Sequence, residues 1–292
     1  MGNVTLDIAD RITHTPVVHF PQNVIEIEEG AFSECTSLDS ITVDASNRFY
    51  SSVAGVLFDK STNTLIQYPG VKAGTYTIPD HVTSIGDAAF YFCANLTGVT
   101  LPDTVTNIGS YAFCFCISLA SVTIPGSVAS IGEQAFRNCV NLTSVTIRGS
   151  ATDIGDFAFL YCSSLTAVFF QGNAPIPYLS VFYGATNATV YYLPGATGWG
   201  STFGDRPTVL WNPRVQTNDA SFGVQTNQFG FIIIGSSNLV VVVEACTNLA
   251  SPTWIPVGTN RLNTFIGTNG TAHFSDSEWT NYPGRFYRFR WP

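Results

Sequence analysis

The chain has 292 residues, is 45% hydrophobic and only 11% charged, and carries a formal net charge of −8. That is too apolar for a disordered chain, since ordinary domains carry roughly 25% charged residues. The acidic balance argues against nucleic acid as a partner, and no run approaches the ~18 apolar residues that a membrane helix needs. Length alone points to about two domains. The opening MGNVTLDIADRITHTP has neither a basic n-region nor an apolar h-region, so no secretory signal is read in it. Low charge with abundant Thr, Ser, Asn and Gly fits an extracellular β-rich protein. The expectation is a secreted or surface chain whose signal peptide is removed or not included, with the status of Met1 as a natural start left open.

Next comes a repeat. FPQNVIEIEEGAFSECTSLDSITV sets out Pro21, Ile27, Phe32, Cys35, Leu38 and Ile41, and the same positions return 58 residues later as Pro79, Ile85, Phe90, Cys93, Leu96 and Val99. From there the step is 23 residues: Phe90, Phe113, Phe136 and Phe159; Cys93, Cys116, Cys139 and Cys162; Leu96, Leu119, Leu142 and Leu165. The pairs Ile85-Gly86, Ile108-Gly109, Ile131-Gly132 and Ile154-Gly155 keep the same step. The longer first interval holds a surplus at about residues 44–75. Within it GVLFDKSTNTLIQYP reads as two short strands around a polar turn, a projecting hairpin near Val56 to Tyr68.

Each copy is too small to bury its own apolar side, so stacked copies form a solenoid. LTGVTLP and LASVTIP read as strands bounded by proline. IGDAAFYFC reads as a helical turn or short helix, with alanine letting backbones approach. The Phe column then runs as an aromatic stack through the core. At the N-terminal end VVHFP matches the strand of a copy whose front half is missing, and residues 1–16 are expected to cover that end.

The copy IPGSVASIGEQAFRNCVNLTSVTIRGS resembles the BspA-type leucine-rich repeat, over about residues 17–172. The inserted hairpin is also a feature of that family. The resemblance implies a bacterial surface or secreted protein. For several members it implies binding of host matrix proteins or cell attachment.

FFQGNAPIPYLSVFYGATNATVYYLPGATGWGSTFGDRPTVLWNP breaks the step. Residues 173–215 are read as a C-terminal cap, with Trp199, Phe203 and Trp211 covering the last coil. Beyond it, FGFIIIG, NLVVVVEACTNL, TWIPVGTNRL, TAHFSD and GRFYRFRW are strand-like runs separated by turn residues. Residues 216–292 are read as a small β-sandwich. The words VVEACTNLASPTW, PVGTN, HFSD and NYPGRFYRFRWP resemble a C-terminal module of secreted Verrucomicrobia and related bacteria. A sorting or anchoring role and a plain spacer are both open for it.

Little in the chain points to chemistry. Five of the seven cysteines fall in one repeat column, which reads as packing, with disulfide pairing left open. Cys114 and Cys116 form no metal-binding pair, and His14, His19, His81 and His273 stand at no ligand spacing. No nucleotide, hydrolase or metalloprotease motif occurs. The acids Glu26, Glu28, Glu29 and Glu34 read as a solvated face, and Arg288 with Arg290 as the wet side of a final strand. Residues 1–172 hold 15 acidic and 6 basic side chains, so the repeat region itself repels polyanions. Strand alternation turns one column outward: Thr42, Thr77, Thr100, Thr123 and Thr146, then Phe169. Neighbouring strands lie about 4.8 Å apart, so this reads as a threonine ladder on one face.

The expected fold is a repeat solenoid of short strands and short helical turns with a 23-residue period, followed by a small all-β sandwich. The expected function is non-catalytic recognition or adhesion outside the cell or on its surface. The partner would be a protein or polysaccharide bound on that strand face or by the hairpin. The second reading is a structural protein that self-associates into a sheath or fibre. No cofactor, metal site, nucleic-acid partner or transmembrane segment is expected.

Overall fold

A computed structural model describes residues 4–6, 16–27, 31–32, 35, 37–149, 153–176, 180–236, 239–262 and 269–290. The chain forms two compact units, Met1–Thr208 and Val209–Pro292.

The first unit is a β-solenoid with a 23-residue step. Each regular coil gives one short strand to each of two parallel sheets. One sheet carries the Ile-Gly column: Ser84–Ile85, Asn107–Ile108, Ser130–Ile131 and Asp153–Ile154 pair in register. The other carries the strands read from sequence, such as Ser121–Ile124, Ser144–Ile147 and Ala167–Phe170. At the N-terminal end Val4–Leu6 pairs in parallel with Val24–Ile27.

Between the sheets the Phe column stacks ring on ring. Centroids are 4.7 Å apart for Phe90–Phe113, 5.0 Å for Phe113–Phe136 and 5.3 Å for Phe136–Phe159, with planes 6–13° apart. The strand ladder sets this spacing, because each coil rises by one inter-strand distance. Such aromatic pairs are worth about 0.5–1.5 kcal/mol each beyond area burial.

Two features of the sequence make the close stacking possible. Gly132 is one: a Cβ there would lie 2.4 Å from the Ser110 nitrogen and 2.5 Å from the Gly109 carbonyl carbon. The cysteine column is the other, and it does more than fill space. The Sγ atoms of Cys116, Cys139 and Cys162 lie 3.1 Å from the carbonyls of Phe90, Phe113 and Phe136 and donate to them. All seven cysteines are buried. Burial pushes the Cys116 and Cys139 thiols well above the ordinary range.

Three expectations need correction. The Ala-Phe segment is not helical; it is a succession of turns. In each coil two non-glycine residues take positive φ: Ala88 and Phe92, Tyr111 and Phe115, Gln134 and Asn138, Phe157 and Tyr161. That geometry interrupts a right-handed helix. It turns peptide groups toward the next coil, as in Phe90 N–H to Ala112 O (2.7 Å) and Phe113 N–H to Ala135 O (2.7 Å).

The hairpin does not project. Tyr50–Val53, Val56–Asp59 and Thr64–Gln67 form an antiparallel meander, and its last strand pairs in parallel with Ser84–Ile85. Val56 and Phe58 enter the main core, while Leu57 enters a smaller N-terminal core. The insertion is therefore a wall between two cores. Buried Asn47 pins its start, donating to the Pro21 and Val24 carbonyls at 3.0 Å and accepting from the Phe49 and Tyr50 amides.

The coil pattern also runs past residue 172. Phe182 stacks on Phe159 at 5.5 Å, and Thr189–Tyr192 pairs in parallel with Ala167–Phe170. Ala185 and Ala188 stand where earlier copies have Cys and Leu. After this coil Trp199 and Phe203 pack on Phe170, with centroids at 4.9 and 5.5 Å.

The second unit holds two antiparallel sheets. In one, Gln228–Ser236 pairs with Asn269–Asp276 on one side and with Arg214–Gln216 and Gly223–Gln225 on the other. In the other, Val240–Cys246 lies between Ile255–Arg261 and Phe286–Arg290. Rings of Phe231, Phe274, Tyr287 and Phe289 meet between the sheets.

Gly132→Ala forces backbone apart and is expected to cost about 1–3 kcal/mol of stability. Gly284→Ala, where a Cβ meets nothing within 4 Å, is expected to be near neutral; denaturant midpoints compare the two. Thiol titration of the native chain is expected to find almost no accessible cysteine, and the buried thiols of Cys116, Cys139 and Cys162 are expected to react only after unfolding. The raised thiol pKa values give stability that is complete below the ordinary thiol value of about 8.5. It is lost as pH rises above that value, so alkaline pH is expected to lower the melting temperature.

Candidate functional site

The threonine positions of the outward strand column do not form one continuous ladder. Thr100 pairs with Thr77, and Thr123 with Thr146. Thr42 pairs with His19, whose Nδ1 lies 3.0 Å from the Thr42 hydroxyl. The strands form three separate stretches of sheet: Val17–Phe20 with Ser40–Val43, Gly74–Thr77 with Leu96–Thr100, and a longer one from Ser121–Ile124 onward. Thr42, Thr77, Thr100 and Thr123 are exposed and Thr146 is half-buried. Phe169 keeps the register next to Thr146 but is only 2% exposed, with Tyr191 stacked on it at 5.1 Å. It is therefore no part of an open face.

Next to the second break the pairing on the near side is irregular. The Leu96–Thr100 strand slips register between Leu96 and Gly98. Gly98 stands where neighbouring coils have Thr75 and Ser121, and glycine inside a strand favours such irregularity. Toward Ser121–Ile124 a long bond from the Ala120 amide to the Thr97 carbonyl (3.4 Å) remains. Above it lies a cleft of about 350 Å³, lined by Thr75, Gly98, Thr100, Ser121, Thr123 and Arg148 among others. Its lining offers hydroxyls and one guanidinium but no carboxylate, so it can hydrogen-bond a ligand and has no acid–base pair.

A second surface was missed in the sequence reading. The turn position two residues after the core Phe carries Phe92, Phe115, Asn138 and Tyr161. Positive φ at each directs this column along one edge. Phe92 and Phe115 stack at 4.4 Å, the Arg137 guanidinium lies 5.9 Å from the Phe115 ring, and Tyr161 meets Tyr183 edge-on at 5.9 Å. Tyr161 and Tyr183 are 47% and 60% exposed. The 23-residue spacing was the available signal; the strand alternation drew attention to the other face.

Among the described residues no three His, Cys, Asp or Glu side chains gather as a metal site. Glu28, Glu29, Glu34 and His14 lie outside the described residues. In the second unit, Glu244 is held by Arg288 (2.7 Å) and Arg290 (2.6 Å). Burial raises its pKa, and the two guanidinium partners outweigh burial and hold it below the ordinary value. Arg288 also stacks on Trp254 at 4.4 Å, so these basic groups are engaged within the module.

The family model for the BspA type leucine-rich repeat region matches residues 12–70 and 68–189, in six copies. A leucine-rich cell surface protein from Faecalibacterium prausnitzii is 31% identical with a TM-score of 0.57, covering 63% of this chain and 48% of its own. A leucine-rich repeat protein from Eubacterium ventriosum is 27% identical with a TM-score of 0.54, covering 60% and 48%. The chain thus spans about half the length of these structures. No curated protein matches it. Column by column and coil by coil, the chain belongs to the BspA-type leucine-rich repeat family.

Proposed function

We propose that this chain is a non-catalytic recognition or adhesion protein, acting outside the cell or on a bacterial surface. Its solenoid binds a protein or polysaccharide through the strand face that carries Thr42, Thr77, Thr100, Thr123 and Thr146. The observation that carries this reading is the cleft beside Gly98, where hydroxyls and Arg148 line an interruption of the ladder. Hydroxyl groups donate and accept, which suits both sugar hydroxyls and peptide groups. The likeness to a surface protein of Faecalibacterium prausnitzii supports the location. Within the 173–215 segment, the part that follows the Thr189–Tyr192 strand acts as the solenoid cap, with Trp199 and Phe203 shielding the end of the Phe stack. The second unit spaces or attaches the solenoid.

The test is binding of the intact chain to an array of matrix proteins and bacterial or algal polysaccharides, with its mass in solution measured alongside. Thr100→Lys with Thr123→Lys is expected to weaken saturable binding at least about tenfold, a loss of about 1.4 kcal/mol. Gly98→Ser, which restores the side chain that adjacent coils carry, is expected to do the same while keeping the melting temperature. Binding that survives both changes moves the site off this face. Ordered polymers without ligand binding would favour a structural protein.

A further inference from the structure

The second unit has one open side. Phe286–Arg290 pairs with Val240–Cys246 along one edge, and among the described residues its other edge has no ladder partner. In the facing sheet, Arg214–Gln216 and Gly223–Gln225 are likewise edge strands. The two remaining edge strands, Ile255–Arg261 and Asn269–Asp276, lie against each other on the opposite side. The open side is therefore a seam with unpaired backbone on both lips. In an antiparallel edge strand every second residue turns its N–H and C=O outward, ready for another strand.

An apolar groove of about 370 Å³ runs into this seam. Phe222, Phe229, Phe231, Phe286 and Tyr287 line it, and Phe222 and Phe286 are exposed. Arg285 lines it too, although its side chain is only 5% exposed. Its guanidinium lies 4.4 Å from the Tyr282 ring, and its Nε sits 3.0 Å from Asp276 Oδ2, out of line for a hydrogen bond. Asp276 Oδ2 already accepts from the Tyr287 hydroxyl at 2.9 Å. The Arg285 Nη1 is buried and has no hydrogen-bond partner among the described residues. Leaving a charged donor unmade is costly, so this atom calls for an acceptor.

The other charges around the seam sharpen the choice. Arg288 also lines the groove, and it shares one carboxylate, Glu244, with Arg290 on the outward face of Phe286–Arg290. Two guanidinium groups, those of Arg285 and Arg288, line the groove, and among the described residues no carboxylate lines it. A neutral apolar strand would fill the groove and leave Nη1 unpaired. A carboxylate beside an apolar side chain satisfies both.

We propose that this seam takes up an extended acidic–aromatic peptide segment from a partner protein. The segment adds as a strand to Phe286–Arg290, sets an apolar side chain among the Phe rings, and accepts from Arg285 through a neighbouring carboxylate. Main-chain pairing would give the affinity and the groove the selectivity. This inference is independent of the solenoid face and stands or falls without it.

The test uses the intact chain and a fluorescein-labelled pentapeptide of alternating threonine and phenylalanine that ends in aspartate amide. Its asparagine counterpart is the control, and fluorescence anisotropy gives both affinities. The aspartate peptide is expected to bind at least about tenfold more tightly than the asparagine peptide, the usual worth of a charge-assisted hydrogen bond. Arg285→Gln is expected to bring the two affinities together. Phe222→Asp, at an exposed position that folding tolerates, is expected to abolish binding of both. Equal binding of the two peptides to the unaltered chain, no binding of either, or binding that ignores Phe222→Asp would each overturn the proposal. A chain that is dimeric in solution and becomes monomeric with Phe222→Asp would also overturn it, assigning the seam to a second copy.

Discussion

The whole solenoid depends on one distance. Parallel strands sit about 4.8 Å apart, and each coil must advance by that step. Flat rings can stack at that separation, so a Phe at a fixed position fills the space between the sheets in every coil. A backbone can approach its neighbour that closely only where no Cβ intervenes, as at Gly132. The buried carbonyls of Phe90, Phe113 and Phe136 accept an N–H within their own turns and can take a second, small donor, which the thiols of Cys116, Cys139 and Cys162 supply. Phe, Gly and Cys recur for three separate reasons that share one cause.

A surface held to so strict a period offers little for recognition, because each coil presents what its neighbour presents. Distinct features arise where the period fails. Gly98 lacks the side chain that neighbouring coils carry, the pairing slips beside it, and a cleft lies there instead of a flat sheet. The meander at Tyr50–Gln67 is a second departure, but its apolar residues are absorbed by the two cores it separates. Of the two irregularities, the smaller one shapes the surface more.

The repeat, its step and its core columns were legible in the sequence because identical packing demands identical residues. The last coil was not, since Ala185 and Ala188 replace the Cys and Leu that mark the others, and only Phe182 keeps the step. The turns were misread as helical because alanine and phenylalanine carry no sign of positive φ, which glycine would have announced. The threonine positions followed from strand alternation, yet alternation gives the direction of a side chain and not its exposure. Phe169 points as expected and is covered all the same. The unpaired Arg285 donor was beyond reach, because its neighbours come from separate parts of the second unit.

The interrupted ladder beside Gly98 also has a mechanical side. A solenoid tethered at its ends and pulled along its axis carries load through whatever bonds join one coil to the next. Most junctions share that load between both sheets, the turn contacts and the ring stack. At Leu96–Thr100 and Ser121–Ile124 the face sheet contributes a single long bond, so the Ile-Gly ladder, the turn amides and the Phe90–Phe113 pair bear nearly all of it. The face sheet is thus weak just where the ligand cleft opens, and a ligand bridging the two strands would act there as a splice.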